Sequence, residues 1–339
     1  MKHKYIYTGL TRISDLSDKG FEVKKIDKAF WETGDYVVCK IIEKGSDTFK
    51  LELPSGRMRG VMGGESLVGA LGERYATLEA TGTWKATGDD EILNVLTAGG
   101  LIGKLTSKSV FIHEMMKVKY LGHTFRNEKK LTMEDFVKPI EDKELKTPVV
   151  LFVGTSMSAG KTTSARIVTN IFKMVGLKVV GAKFTGAGRY KDILAIEDVG
   201  ADAVFDFVDT GLPSSICDKD IYLKKVNHLK NLVSSVDAEV AVIEIGASPL
   251  EPYNGDLAID AIREQVKCII LCASDPYAAY GLMKAFNIIP NIVTGISTNT
   301  LAGRELTEKL CGVTALNLID PETTPRLKKI LNKSFGFKL

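Results

Sequence analysis

Little in this sequence marks a secreted, metal-clustered or membrane-spanning chain. Among 339 residues there are five cysteines, Cys39, Cys217, Cys268, Cys272 and Cys311. Their number is odd and no two stand in C-x-x-C spacing, which excludes a disulfide framework and the common cysteine metal sites. Cys268 and Cys272 lie four apart inside an apolar run, where cysteine behaves as a small hydrophobe. Histidine is as scarce, at four residues. His113, His123 and His228 form no ligand spacing, and His228 falls on the polar side of a helical pattern as a surface residue. Neither a Ser/His/Asp nor a Cys/His arrangement can be assembled. No apolar run approaches the roughly 18 residues of a membrane span, and Met1-Lys-His-Lys4 is not followed by the apolar stretch of a signal peptide. Charge of one sign is also missing: 45 basic against 42 acidic side chains leave a formal +3. That balance speaks against nucleic acid or an anionic membrane as partner. The expectation is a soluble, cytoplasmic protein, with 45% apolar and 26% charged residues in ordinary globular proportion.

Proline is missing where it matters most. Residues 1–138 contain only Pro54, whereas Pro139 and Pro148 bracket the charged stretch 140–147. This divides the chain into a domain at 1–138, a linker at 139–148 and a second domain at 149–339. The first reads as β: Tyr36–Ile42 is rich in β-branched residues. Thr48–Leu53 alternates, with Phe49, Leu51 and Leu53 on one face and Lys50 and Glu52 on the other. Pro54-Ser55-Gly56 turns into a partner strand, 57–62, and a small barrel is the expected form. Arg57, Arg59 and Arg74 flank a glycine-rich run; they suit either an acidic substrate or an ordinary exposed hairpin.

After the linker the text alternates strand and helix. Strands are expected at 149–153, 177–184, 239–245, 267–273 and 291–296, helices at 163–175 and 222–236, and a last strand–helix pair over 313–333. The fold class is therefore α/β, a mostly parallel doubly wound sheet preceded by a smaller, predominantly β domain. Directly after the first strand stand Gly154, Thr155, Ser156, Met157, Ser158, Ala159, Gly160, Lys161, Thr162 and Thr163. Small residues let a backbone wrap an anion, and consecutive N–H groups at a helix start carry positive partial charge. Lys161 would reach the β- and γ-phosphates and the Thr162 hydroxyl would coordinate magnesium. The spacing departs from G-x-x-x-x-G-K-[ST], because Thr155 holds the first glycine position.

These residues resemble the phosphate loop of dethiobiotin synthetase and the cobyrinic acid amide synthases, P-loop enzymes that use ATP and Mg²⁺ to activate a carboxyl or carbamate group. The likeness covers residues 149–333. It implies that Lys183, at the end of the second strand, contacts phosphate and substrate, and that Glu244 binds Mg²⁺, although Ile245 separates Glu244 from Gly246. It also implies a homodimer, and offers Asn299 as the residue reading the adenine edge; Asn299 fits equally well as a helix N-cap. Asp192 is placed for a second metal contact. Asp202, Asp206 and Asp209 recur at helical spacing, which suits either Mg²⁺ or a solvated face. Asp206-Phe-Val208 bears a fainter similarity to P-loop proteins of the D-glutamate N-acetyltransferase type.

Two motifs are absent. The residue five before Lys161 is Ser156, so the signature lysine of partitioning ATPases is missing. Asn332-Lys-Ser-Phe335 fails as the guanine-reading Asn-Lys-x-Asp. The function expected is an ATP- and Mg²⁺-dependent ligase or synthase acting on a small carboxylate or carbamate. A nucleotide-driven binding module or switch, or an acyltransferase acting on an amino acid, is the alternative.

Overall fold

The computed structural model describes residues 5–46 and 49–339, so Thr48 and the first four residues lie outside it. The chain divides into two compact units. The first comprises Met1–Pro139, Ala187–Lys191 and Phe207–Cys217; the second comprises Ile140–Gly186, Asp192–Asp206 and Asp218–Leu339. The sequence reading made a single cut between the prolines. It gave no sign that two later excursions fold with the N-terminal residues.

In the first unit the strands Ser66–Leu71, Tyr36–Glu43, Lys117–Arg126, Ile92–Val95 and Leu101–Lys108 pair in that order. The last pairs back to the first through Leu101 with Ala70 and Ile102 with Leu71, closing a small barrel. Closure removes the free edges that an open sheet would expose. The interior is apolar, with Val37, Cys39, Ile41, Leu67, Val95 and Ile102 among its buried residues. The expected hairpin is shorter than its pattern, Leu51–Glu52 against Met58–Arg59. Arg59 pairs with Glu65 at 2.7 Å, and Arg74 bonds to Glu79 and to the Leu96 carbonyl, so both serve this unit's own framework. Arg57 is exposed.

A polar chain crosses the barrel wall. The fully buried His123 contacts the Tyr120 hydroxyl through Nδ1 at 2.6 Å and Asp35 through Nε2 at 3.0 Å. Asp35 also accepts from Lys130 at 2.9 Å and from the Glu32 N–H at 2.8 Å. Trp31 packs on both rings. All three bonds to Asp35 fall on its Oδ2 while Oδ1 is buried without a partner, so each further loss strands another buried polar group.

The second unit is a parallel six-stranded sheet. We number its strands β1 (Val149–Gly154), β2 (Val179–Thr185), β3 (Ala203–Asp206), β4 (Val240–Ile245), β5 (Val266–Cys272) and β6 (Ile292–Thr294). Its helices are α1 (Lys161–Met174), α2 (Tyr190–Glu197, which begins in the first unit), α3 (Lys219–Ser234), α4 (Gly255–Ile262), α5 (Pro276–Phe286), α6 (Leu301–Cys311) and α7 (Thr324–Phe335). The strand order β3-β2-β4-β1-β5-β6 puts β1 between β4 and β5. Every residue of β1, β2 and β4 is buried, as continuous apolar strands of a covered parallel sheet should be.

Three sequence expectations need correction. Residues 202–209 are not a helix: β3 ends at Asp206 and a 3-10 turn, Phe207–Thr210, follows. The three aspartates therefore part, Asp202 to Lys173 at 2.6 Å and Asp209 to Arg12 at 2.9 Å, while Asp206 is buried at the strand end. Paired β-type neighbours outweigh a helical spacing read from sequence alone. No strand forms at 313–318, where Ala315 makes one isolated bridge to Val293. His228 is half-buried rather than on the surface. Among the described residues, no helix is long and apolar enough to cross a membrane.

Asp35→Ala should lower unfolding free energy by about 3 kcal/mol, since it leaves His123 and Lys130 without their shared buried acceptor. Urea denaturation is the measurement, and a change under about 0.5 kcal/mol would show that this chain contributes nothing.

Candidate functional site

The site begins where β1 runs out. Gly154 closes the strand, residues 155–160 turn, and Lys161 opens α1. Gly160 caps that helix at φ +98°, a left-handed conformation that glycine adopts without strain. Gly154 serves a different end. A Cβ there would stand 2.8 Å from Lys161 Cδ and 3.0 Å from its Nζ, so the lysine folds back across the strand end only because position 154 is bare. Lys161 is 1% exposed, and its ammonium donates to the Ser156 carbonyl at 2.7 Å. Burial pulls its pKa below the ordinary lysine value, and Glu244 offsets part of that.

The loop is held from the neighbouring strand end. Thr155 N–H donates to the Cys272 carbonyl at 3.1 Å, and Ser274 N–H donates to Thr155 Oγ1 at 3.1 Å. A Cβ on Gly295 would fall 2.4 Å from the Ala159 carbonyl, so the turn after β6 lies directly against the loop. Sequence reasoning passed over Ser274 and Gly295, whose roles depend on which strand ends become neighbours. Ser156 Oγ is buried with no hydrogen-bond partner. An orphaned hydroxyl inside an anion-wrapping turn fits a loop shaped for a phosphate oxygen. Met157 is half-buried and Ser158 and Thr163 are exposed.

Thr162 Oγ1 donates to Glu244 Oε2 at 3.0 Å, joining the start of α1 to the end of β4. A hydroxyl beside a carboxylate is an all-oxygen donor pair of the kind magnesium prefers. Across the same strand ends, Lys183 stands in register with both Glu244 and Asp206. Its Nζ donates to Asp192 at 2.6 Å. Burial opposes its charged form, but Asp192, Glu244 and Asp206 outweigh that and hold its pKa above the usual lysine range. A Cβ on Gly246 would fall 2.1 Å from the Thr185 carbonyl and 2.5 Å from Lys183 Cε, which accounts for a glycine two residues after Glu244.

The residues singled out from sequence thus fall into two adjoining groups, the loop with Lys161 and the set Lys183, Asp192, Asp206 and Glu244. Among the described residues no three His, Cys, Asp or Glu side chains converge as a metal cage. Asn299 does not cap α6: Thr300 does, accepting from the Gly303 N–H at 3.1 Å. Asn299 is exposed on the turn that abuts the loop. Asn332 is engaged within the C-terminal segment, where its Oδ1 accepts from the Leu339 N–H at 2.9 Å.

No family model and no curated protein sequence matches this chain. Solved structures do. The signal recognition particle receptor FtsY from Elizabethkingia anophelis aligns with 20% identity and TM-score 0.37, over 51% of this chain and 58% of that one. The signal recognition particle 54 kDa protein from Aeropyrum pernix, in complex with GDP, aligns with 19% identity and TM-score 0.35, over 58% of this chain and 50% of that one. HypB from Helicobacter pylori, in complex with nickel, aligns with 14% identity and TM-score 0.36, over 56% of this chain and 86% of that one. The match thus spans less than two thirds of the FtsY chain, and likeness at this level says nothing of what this protein binds. Its own strand, glycine-rich turn, lysine and helix make the second unit a P-loop nucleotide-binding fold.

Lys161→Ala should weaken nucleoside triphosphate binding at least about 100-fold, because nothing else in the loop carries a charge to the phosphates. Gly154→Ala should cost about 10-fold by displacing the lysine stem. Titration calorimetry reads both, and unchanged affinity in Lys161→Ala would remove the loop from the site.

Proposed function

We propose that this protein is an ATP- and magnesium-dependent enzyme of the ligase or synthase type, which activates a small carboxylate or carbamate by phosphoryl transfer. The observation that carries this reading is the second ammonium. Lys183 is buried at the end of the strand next to Glu244, on the same rim as Lys161. A nucleotide site alone needs one lysine; a second, held by carboxylates, suits a group that must grip an anionic acceptor. The resemblance of the phosphate loop to dethiobiotin synthetase points the same way.

Bound ATP and magnesium would supply an electrophilic γ-phosphoryl group. The chain's part is positioning and charge. Lys161 would leave the Ser156 carbonyl for the phosphates. Thr162 and Glu244 would hold the cation, with Asp192 or Asp206 completing its surroundings. Lys183 would hold the acceptor carboxylate in line. One acceptor oxygen would attack the γ-phosphorus as the bond to ADP breaks, giving an acyl or carbamoyl phosphate. An amine, from a second substrate or the same one, would then displace phosphate. ATP is preferred to GTP in this proposal because the Asn-Lys-x-Asp motif is absent, and Asn299 is its candidate for the base. A small carboxylate, a cytoplasmic setting and a second copy of the chain complete the proposal, with no nucleic acid or membrane.

The alternative is a nucleotide-driven switch. Leu250 is 69% exposed in the segment after β4, a placement suited to a protein contact. A small acid should raise ADP release from the enzyme, whereas a switch would respond to a protein partner instead. With ¹⁸O in the substrate carboxylate, one labelled oxygen should appear in the released phosphate. Unlabelled phosphate, or AMP and pyrophosphate, would rule the mechanism out. Glu244→Gln should lower turnover about 100-fold with much less effect on nucleotide affinity, and Lys183→Ala should lower it at least about 10-fold with ATP affinity kept.

A further inference from the structure

The strands on either side of β1 end in different chemistry. On the β4 side stand Glu244 and, one strand further out, Lys183, both buried. Charged groups there suit phosphates and a metal ion, and offer nothing to the apolar faces of a purine. On the β5 side the rim changes character. Tyr277, in the first turn of α5, is 68% exposed, and Ile296, in the turn after β6, is 55% exposed. Asn299 follows Ile296 in the same segment and is exposed as well. A single large side chain left in water is ordinary; here two stand on the segments that brace the phosphate loop.

Both segments are fixed to the loop and to each other. Ser274, bonded to Thr155, donates through Oγ to Asp275 Oδ2 at 3.1 Å. Asp275 Oδ1 accepts from the Tyr277 N–H at 3.0 Å and the Ala278 N–H at 2.9 Å, which caps α5. Hydrogen bonds thus lead from the loop to the backbone of Tyr277. Ala273 N–H donates to the Thr294 carbonyl at 2.9 Å, and Ser297 N–H to the Ala273 carbonyl at 3.0 Å, locking the two segments together around Ile296. The fold itself makes little use of these side chains. α5 buries Ala279 and Leu282 and leaves Tyr277 off that face. The Tyr280 ring has the Lys284 ammonium over it at 5.4 Å, whereas among the described residues the Tyr277 side chain has no ring, cation or hydrogen-bond partner. The Asn299 amide makes no side-chain hydrogen bond among them either, since Thr300 caps α6 in its place.

We propose that Tyr277 and Ile296 form the seat of the nucleotide's base, covering the apolar surface of a purine whose phosphates lie in the loop. The inference rests on the loop being a nucleoside triphosphate site; its readouts are binding ratios, so failure of the ligase reading leaves them intact. A nucleotide held by its phosphates extends its nucleoside toward one flank of the loop, and the β5 flank offers apolar surface where the β4 flank offers charge. An aromatic face accepts any base, because every base has a π-face, so the seat supplies affinity. Choice between bases falls to the candidate Asn299. Its amide sets one acceptor and one donor against N6 and N7 of adenine. The N1–H and exocyclic amine of guanine call instead for a carboxylate.

The test compares ATP, GTP and inorganic tripolyphosphate, each with Mg²⁺, binding to the full chain by calorimetry. Tripolyphosphate fills the loop and carries no base. Tyr277→Ala should weaken ATP binding about 5- to 150-fold and leave tripolyphosphate within about twofold. Ile296→Ala should weaken ATP about 5-fold with the same indifference to tripolyphosphate. Tyr277→Phe keeps the ring and should bind ATP within about twofold of wild type. Asn299→Asp should move the ATP-to-GTP affinity ratio at least about 10-fold toward GTP. Ile289, 76% exposed and placed before β6 at the end of the sheet away from the loop, supplies the control Ile289→Ala, which should change neither affinity. A second readout uses wild-type protein, so it decides even where a variant is unstable. The Tyr277 ring resonances, assigned by comparison with Tyr277→Phe, should shift with ATP and stay in place with tripolyphosphate. Unchanged ATP affinity in Tyr277→Ala overturns the proposal, as do equal losses for ATP and tripolyphosphate or a ring signal that ATP does not move. Should wild-type protein bind neither, the phosphate-loop reading fails and the seat fails with it. Should GTP bind better than ATP, the choice of ATP fails; a matching loss of GTP affinity in Tyr277→Ala then supports the seat, and its absence overturns it.

Discussion

An ammonium ion shut away from water with a carbonyl as its hydrogen-bond partner is the state on which the second unit turns. Lys161 is that ion. Its desolvation is unfavourable, as the downward pull on its pKa records, and a polyphosphate would relieve it better than the Ser156 carbonyl does. The features around it follow from keeping this state accessible. Position 154 is bare so that the lysine can fold across the strand, Gly160 turns the chain into α1, and the ends of β5 and β6 brace the loop from the side.

The neighbouring group balances differently. Around Lys183 stand Asp192, Asp206 and Glu244, and they hold its ammonium charged against burial. The hydroxyl and carboxylate of Thr162 and Glu244 meet at 3.0 Å, an all-oxygen pair beside it. The proposed reaction brings a polyanion and a carboxylate to this rim, and a divalent ion there would offset the repulsion between them.

How much of this could be read from sequence depended on how local the signal was. The loop, its lysine and the strand before it are contiguous, and β1, α1 and the alternation that follows emerged with small errors at their ends. Glu244 and Lys183 were reached through a resemblance, and both fall at strand ends, where a parallel sheet gathers its ligands. What escaped was non-local. Thr155 meets Ser274 across 119 residues of chain, and Gly295 meets Ala159 only because β6 follows β5 in the sheet. The aspartates at 202, 206 and 209 misled because helical spacing and a strand ending in a turn share the same four-and-three intervals. Their separation came from pairing with β2, which sequence does not display.

Glu52 exposes the limit of pattern reading most sharply. Period-2 alternation places charged residues on the wet face of a strand, and for Lys50 this holds. For Glu52 it fails because two backbone donors, the Tyr190 and Lys191 N–H groups, meet its carboxylate on the dry side, and no hydrophobicity scale records them. The start of a helix carries a fixed positive partial charge, and a backbone N–H donated to each oxygen offsets much of what the carboxylate loses on leaving water. Burial of a charged residue in a short, otherwise alternating strand therefore points to a helix terminus arriving from elsewhere in the chain. Here that terminus is the start of α2. Residues 187–191 fold as part of the first unit, though they stand in the sequence between strands of the second.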